Sequence, residues 1–369
     1  MNQTLIWLLV SPLLAGLVCA YFYRSRPETW PVVAGVAFCL FFMTLAGFYG
    51  AKASVTSDVE IINGEVISKS REHGTYEQPY QCNCVTTYDS KGTPNTTCQT
   101  CYETHYTVDW STATTVGKID LYSEDSTWRS VYNTPDPAFY ANIRPGDPVA
   151  QRHSYTNYIQ AVPNSLFTAS SKTLKERFAL LIPPYPDKVY DFYSVDRVLT
   201  PGYSLPDIKT WNLELANSLR KLGPSKQANA IIVIAKTNDP NYEYALRDAW
   251  ENANKNDVVL IVGSKNWPNI DFVRVISWTK NELFKVELRD AVQAMGTVNH
   301  GIVKVLEAQI AKNFNRRHMK EFEYLDDEIA PPTWVINSLA VLQLLGFIGL
   351  YVYVNMSNQP KLFRTSRRF

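Results

Sequence analysis

Four closely spaced cysteines are the residues in this chain whose type and spacing best suit chemistry. They form a Cys-x-Cys pair and a Cys-x-x-Cys pair: Cys82, Cys84, Cys98 and Cys101. Such a set suits either two disulfides or a tetrahedral site in which four thiolates bind zinc. The segment between the pairs, residues 90–97, is rich in Gly, Pro, Asn and Thr, which predicts the loop of a β-hairpin.

The compartment decides between these uses of the cysteines. An oxidising exterior favours disulfides, and bridges such as Cys82–Cys101 with Cys84–Cys98 would join the two strands of a hairpin. Four cysteines allow three pairings, among which the sequence does not choose. A reducing compartment would favour zinc, and free or redox-active thiols are the third alternative. His105 shares a strand face with Cys101 but lies too far along it, which disfavours His105 as a zinc ligand.

Acidic side chains form the second candidate site. Asp239, Asp257 and Asp271, with Asp248 and Asp290, fall in one region and could converge on a cation or a phosphate; the alternative is that they are solvated surface carboxylates. No His-Glu-x-x-His pair, Gly-x-Ser-x-Gly elbow or glycine-rich phosphate loop occurs in the sequence. We therefore assign no catalytic residue, and we expect no cofactor other than zinc at the four cysteines.

A β-rich domain over residues 51–165 must position the cysteines. Asp58–Ile62 predicts a strand, Asn63-Gly64 a turn, and Glu65–Ile67 a second short strand. Thr104–Trp110 alternates and is rich in β-formers, and residues 114–122 continue that pattern. Five prolines then predict irregular coil: Pro135, Pro137, Pro145, Pro148 and Pro163. A linker over residues 166–189 follows.

The acidic residues belong to a second region, 190–318, in which strands and helices alternate. A helix from Ile208 is expected to stop at Gly223-Pro224. The predicted strands are the buried runs Ile231–Ala235 and Asp257–Gly263 and an exposed, alternating run Asp271–Trp278. The predicted later helices are Tyr242–Ala253, Glu282–Met295 and Ile302–Phe314. This order predicts a layered α/β sheet.

The succession Asp196–Thr200, Ala230–Ile234, Asn256–Val262 and Phe272–Ile276, with helices between, resembles the TPM domain over about 190–318. That family occurs on membrane-tethered extracytoplasmic proteins in bacteria, chloroplasts and animals. Some members are described as acid phosphatases and others as accessory or assembly factors. Ser277-Trp278-Thr279 stands where the family usually has Gly-Tyr-Gly, so the resemblance implies the fold more than an active site.

Three charge-free stretches predict transmembrane helices, since a span needs about 20 mostly apolar residues. They cover residues 1–23, 30–50 and 333–355. Cys19 and Cys39 lie within the first two and are expected to pack there. Asn337 and Gln343 lie in the third, where either could hydrogen-bond to a neighbouring helix.

Lysine and arginine placement predicts the orientation of these spans. The loop 24–29 carries Arg24 and Arg26 against Glu28, whereas the linker 319–332 before the third span is acidic. The tail, residues 356–369, is basic through Lys361, Arg364, Arg367 and Arg368. We therefore expect the N-terminus and residues 51–332 outside the cytoplasm, with the loop and the tail inside.

The fold class expected is a membrane-anchored α+β protein with three spans, a cysteine-containing β-rich domain and a TPM-like α/β domain. Lys+Arg 36 against Asp+Glu 35 excludes a protein that coats nucleic acid. The expected function is a binding or assembly ectodomain that contacts an envelope protein or a second copy of itself. The alternative is a membrane-tethered, phosphatase-like hydrolase. The front half is similar to uncharacterised membrane proteins of bacteria and their phages, which indicates a bacterial inner membrane.

Overall fold

The computed structural model describes residues 3–22, 29–88, 90–126, 128–159, 172–190 and 194–357. The basic loop 24–28, Pro163 and the tail from residue 358 lie outside these ranges. The chain is a mixed α/β protein with two compact units. The helical unit comprises Met1–Asp58, Ser154–Ala169 and His318–Phe369, and the sheet unit comprises Val59–His153 and Ser170–Arg317.

Three long apolar helices make up most of the helical unit: α1 (Gln3–Phe22), α2 (Trp30–Thr56) and α10 (Thr333–Ser357). Two of them, α2 and α10, are long and apolar enough to cross a membrane, with mean hydropathies of 2.1 and 2.0. The apolar part of α1, Leu5–Tyr21, is shorter. A 3-10 helix (Met319–Glu328) precedes α10.

A proline in α1 explains how α10 binds to it. Pro12 has no N–H, so the Leu8 carbonyl loses its helical donor. The buried Gln343 amide of α10 replaces that donor, with Nε2 at 2.8 Å from the Leu8 oxygen. Gln343 also donates to Thr44 Oγ1 on α2 at 2.8 Å and accepts from the Ser11 hydroxyl. The predicted hydrogen bond from Gln343 to neighbouring helices is therefore confirmed.

Removing the Gln343 amide should loosen this three-helix contact. We expect Gln343→Ala to lower the stability of the helical unit by about 1 kcal/mol, because the Leu8 carbonyl and the Thr44 hydroxyl lose partners in an apolar setting. Unfolding of the full chain by SDS titration in mixed micelles measures the change. Asn337→Ala, at an exposed position of the same helix, is the control. Equal effects at both positions would contradict the assignment.

The sheet unit contains two four-stranded sheets. The first has the order β3-β2-β1-β4, with β1 (Ser57–Tyr88), β2 (Pro94–Thr114), β3 (Gly117–Ser126) and β4 (Pro148–Thr156). It packs around a core that includes the buried Val108 and Trp110. Residues 128–156 are not simply the predicted coil, because α3 (Trp128–Val131) and α4 (Ala138–Asn142) precede strand β4.

The predicted turn at Asn63-Gly64 is wrong, since β1 runs straight through it. Asn63 is buried, and its amide bonds to the Ala228 carbonyl and the Asn229 side chain. Gly64 is needed for close packing, since a Cβ there would overlap Thr115. The Asn-Gly pair therefore marks tight tertiary contact and not a reversal of the chain.

The second sheet has the order β5-β6-β7-β8, with β5 (Val198–Leu199), β6 (Asn229–Ala235), β7 (Asp257–Gly263) and β8 (Phe272–Ser277). The pairs β5–β6 and β6–β7 are parallel and β7–β8 is antiparallel. One face packs on α6 (Ile208–Lys226), α8 (Leu283–Gln293) and α9 (Gly301–Asn313), and the other packs on α5 (Lys172–Arg177) and α7 (Tyr242–Ala249). Burial on both faces explains the apolar runs of β6 and β7.

Two helix ends and one burial pattern in this region differ from the predictions. Helix α6 passes Gly223-Pro224 and ends at Lys226, because Gln227 adopts the left-handed conformation that caps it. Helix α7 ends at Ala249, since residues 251–253 have positive φ angles. Strand β8 is mostly buried and does not alternate, because helices cover both of its faces.

Candidate functional site

The first sheet extends into a two-stranded arm, which we define as Glu77–Tyr88 of β1 and Pro94–Thr104 of β2. Strand β3 leaves β2 at Tyr106, which faces Ser126. Beyond that pair, in the part of the chain that the structure describes, the two arm segments pair only with each other. At about 3.3 Å per residue the arm is roughly 35 Å long. Apart from three of its cysteines, every described arm residue is exposed.

The four cysteines lie within this arm, at disulfide distance in two pairs. Cys82 lies with Cys101 and Cys84 with Cys98, with Cα–Cα separations of 5.8 and 4.0 Å. Cys98 and Cys101 are an odd number of residues apart on one strand, so the two disulfides lie on opposite faces. The four sulfurs therefore lie as two separate pairs. No cluster of three metal-ligating side chains occurs among the described residues.

The arm surface combines tyrosines with short uncharged polar side chains. Tyr80, Tyr88 and Tyr102 are 49%, 73% and 65% exposed. Cross-strand contacts order the polar side chains between them, as in the 2.9 Å bond between the hydroxyls of Thr86 and Thr96. Rigid aromatic rings among adaptable hydrogen-bonding groups are typical of surfaces that bind other proteins.

His105 lies at the base of the arm and does not approach the cysteines. Its Nδ1 is 3.1 Å from Asp125 Oδ2, and its ring stacks on Tyr76 with 5.2 Å between centroids. The Tyr76 hydroxyl donates to the same carboxylate at 3.0 Å, and this hydrogen bond raises the pKa of Tyr76. These three side chains brace the point where the third strand ends.

Asp257, the central member of the predicted acidic site, is fully buried in the sheet unit. It accepts bonds from Asn229 Nδ2 at 2.8 Å and from the Tyr185 hydroxyl at 2.7 Å, and its exposure is 0%. Asn229 Oδ1 in turn accepts from Nε of Arg197 at 2.8 Å. Arg197 also donates to the Asn63 side chain of β1. Burial lowers the pKa of Arg197 to about 10, so its charge persists at neutral pH.

The other acidic residues do not join Asp257. Asp257 begins β7, whereas Asp239 follows β6 and Asp271 precedes the antiparallel β8, at the opposite end of the sheet. Asp239 pairs with Arg177 at 2.6 Å, and Asp271 accepts from the Lys265 N–H at 2.6 Å. The remaining two also have basic neighbours: Asp248 has Lys175 and Asp290 has Arg289.

Sequence reasoning assigned no role to Arg197, Asn229 or His300. For Arg197 and Asn229 a signal exists, because each is a polar residue directly at the start of an apolar strand. His300 lies between Glu214, with Nδ1 at 2.7 Å from Oε2, and Asp207, with Nε2 at 2.8 Å from Oδ2. Its ring stacks on Trp211 at 4.4 Å. The spacing of Asp207, Glu214 and His300 along the chain does not predict that they form a cluster.

The His300 cluster predicts a pH-dependent stability. Partial burial opposes the charge on His300, but the hydrogen bonds to Asp207 and Glu214 outweigh it and raise the pKa. A raised folded-state pKa stabilises the fold below the unfolded value of about 6.5, and this contribution is lost as pH rises through the folded pKa. We expect His300→Gln to lower Tm by roughly 1–2 °C at pH 5.5 and by less at pH 9.

Thermal unfolding of the full chain at both pH values measures this difference. The pKa of Asp207 is lowered by its bond to His300, so the contribution of Asp207 is present above its unfolded pKa and lost as pH falls through the folded one. His73→Gln, which alters a ring contact with Tyr132, serves as control. An equal loss of Tm at the two pH values would refute the assignment.

The chain matches no protein-family model, no curated protein and no solved structure.

Proposed function

We propose that this chain is an integral membrane protein whose ectodomain acts by binding another protein in the envelope. In this proposal α1, α2 and α10 all span the bilayer. Only 22% of the most apolar part of α2, and likewise of α10, is buried. The remaining apolar surface, including the exposed Phe38, Met43 and Leu344, suits contact with lipid. The apolar stretch of α1 falls within the range of about 17–25 residues that spans require.

The two cysteine pairs support an extracytoplasmic location for residues 51–332. Disulfides persist in oxidising compartments and are rare in the cytosol. The basic loop and tail, which the positive-inside rule assigns to the cytoplasm, require the same orientation. A bacterial inner membrane with a periplasmic ectodomain meets both requirements. A TPM-like identity for residues 190–318 is part of this proposal, since it would fit a tethered extracytoplasmic protein.

The arm is the main structural support for this proposal. A roughly 35 Å ribbon that contributes nothing to a core costs conformational entropy, and two cysteine pairs hold it in shape. Its exposed surface is uncharged from Asn95 to Tyr102 and presents tyrosines. Such a structure suits recognition of a protein surface. The hydrolase alternative gains no comparable support. Asp257 is buried, and the other two members of the predicted acidic site, Asp239 and Asp271, lie at the other end of the sheet.

Photo-crosslinking and affinity capture of the full chain from its native membrane test the proposal. We expect a specific partner, or a second copy, to be recovered with the unaltered chain and to fall about 10-fold or more with Tyr88→Ala/Tyr102→Ala, since buried aromatic anchors dominate interfaces. Tyr132→Ala, at a 71% exposed tyrosine outside the arm, should change nothing. Equal recovery from all three proteins, or recovery of the monomer alone, would contradict the proposal.

Thiol labelling of intact cells tests the orientation separately. We expect Cys82, Cys84, Cys98 and Cys101 to react with a membrane-impermeant maleimide only after a reductant is added. Labelling without a reductant would contradict the disulfides. Labelling only after the membrane is permeabilised would place the arm in the cytoplasm and overturn the orientation.

A further inference from the structure

The two outer edges of the arm differ in how well they are protected against pairing. On β1, Pro79 lacks an N–H, and a bulge between Cys82 and Val85 interrupts the edge at Asn83, whose φ is 48°. Prolines and bulges are the devices that prevent a further strand from adding to an edge. On β2, the stretch from Asn95 to Tyr102 has no proline, no charge and no bulge on its own strand. Of the two arm edges, the β2 edge is the one that the described residues leave open.

The open edge continues the line of strand β3. Strand β3 pairs with β2 from Gly117 to Ser126 and stops opposite Tyr106. A strand added beside residues 95–102 would occupy the next positions on the same side of β2. Such a strand would therefore add a third strand to the two-stranded arm, in line with β3, which is the geometry of β-augmentation.

We infer that the outer edge of β2 from Asn95 to Tyr102 pairs, antiparallel, with the same edge of a second copy of this chain. The uncharged sequence suits self-pairing, because a segment opposed to its own copy places no like charges across the contact. The threonines and Tyr102 favour β-structure on both sides. Because each copy has one open edge and one protected edge, the assembly closes as a two-fold dimer and does not grow into a fibre.

This inference deepens the proposed function and rests on it in one respect. An edge of this length buries less surface than the roughly 1,200–2,000 Å² of a stable interface in dilute solution. Copies anchored in one membrane meet at a much higher effective concentration, which offsets the small area. The dimer is therefore expected in the membrane and is tested there with the full chain.

The register supplies a matched pair of positions for the test, because Thr100 on β2 faces Gln81 on β1. Both are exposed and lie equally far from the tip, but on opposite edges. With p-benzoylphenylalanine at Thr100, irradiation of membranes should give a dimer at least about five-fold more strongly than at Gln81. Mass spectrometry of the unreduced arm checks that both disulfides are intact.

Lysine substitutions then test the edge by charge. Thr97→Lys/Gln99→Lys should remove the dimer obtained from position 100, because the two copies would oppose like charges. Gln78→Lys/Val85→Lys, on the protected strand, should leave it. Equal crosslinking from Thr100 and Gln81, or no dimer from either, would overturn the inference. A crosslink from Thr100 to a different protein would also overturn it while leaving the proposed function standing.

Discussion

Asp257→Asn is expected to destabilise the sheet unit by about 3–5 kcal/mol, the usual cost of leaving a buried charge uncompensated. The substitution keeps the shape of the side chain but removes the charge that balances Arg197 through Asn229. It also weakens the bonds that Tyr185 and the backbone N–H of Asn254 donate to the carboxylate. Urea unfolding of the full chain, followed by tryptophan fluorescence, measures the change.

Asp271→Asn is the matched control, since that carboxylate is exposed and should shift stability by less than about 0.5 kcal/mol. The double variant Arg197→Met/Asp257→Asn should be less destabilised than the two single variants together, because neither charge is then left unbalanced. A stability of Asp257→Asn within about 1 kcal/mol of the original protein would refute this role. The result also bears on any hydrolase assay. A loss of activity in Asp257→Asn would be explained by unfolding of the sheet unit and would not identify Asp257 as a catalytic residue.

Gly223→Ala is expected to cost about 3 kcal/mol or more, although alanine is normally the better helix former. A Cβ at this position of α6 would overlap the backbone carbonyl of Asn63 in β1. Because the obstacle is main chain in a paired strand, it cannot swing aside as a flexible side chain would. Either the helix or the strand must shift, which carries the penalty of overpacking and also disturbs the Asn63 bonds to Arg197 and Asn229.

Ser225→Ala, two residues on in the same turn and exposed, is the control and should stay within about 0.5 kcal/mol. Urea unfolding compares the two, and hydrogen exchange of the β6 amides shows whether the loss is global. Equal stabilities for Gly223→Ala and Ser225→Ala would show that α6 and β1 do not approach as closely as described.

The sequence predicted best the elements that consist of an uninterrupted run of apolar residues. Asp257–Gly263 has the bounds predicted for it, and Ile231–Ala235 falls inside β6, because strands covered on both faces must be apolar throughout. The long apolar helices α2 and α10 were also predictable, because each contains an uninterrupted apolar run long enough to be recognised in the sequence. A hairpin does connect the cysteine pairs, but the predicted loop 90–97 is too long, because Pro94–Thr97 belongs to strand β2.

Features that depend on contacts distant along the chain were not predictable in the same way. Asn63-Gly64 has the composition of a turn, but its local preference yields to packing against Thr115 and α6. Asp239, Asp257 and Asp271 are close in sequence, yet β7 separates Asp257 from the other two. The unequal protection of the arm edges depends on the register of β1 against β2. The alternation of polar and apolar residues along each strand does not reveal that register.

The bond between Gln343 and the Leu8 carbonyl has a consequence for biogenesis. Its two ends are 335 residues apart, so the ribosome makes the acceptor first and the donor almost last. At about 5–20 residues per second, roughly 20–70 s separate them. During that interval Pro12 leaves the carbonyl without a helical donor. A chain truncated before α10 would lack the Gln343 amide, and the Ser11 hydroxyl at 3.3 Å would then be the donor that remains for this carbonyl.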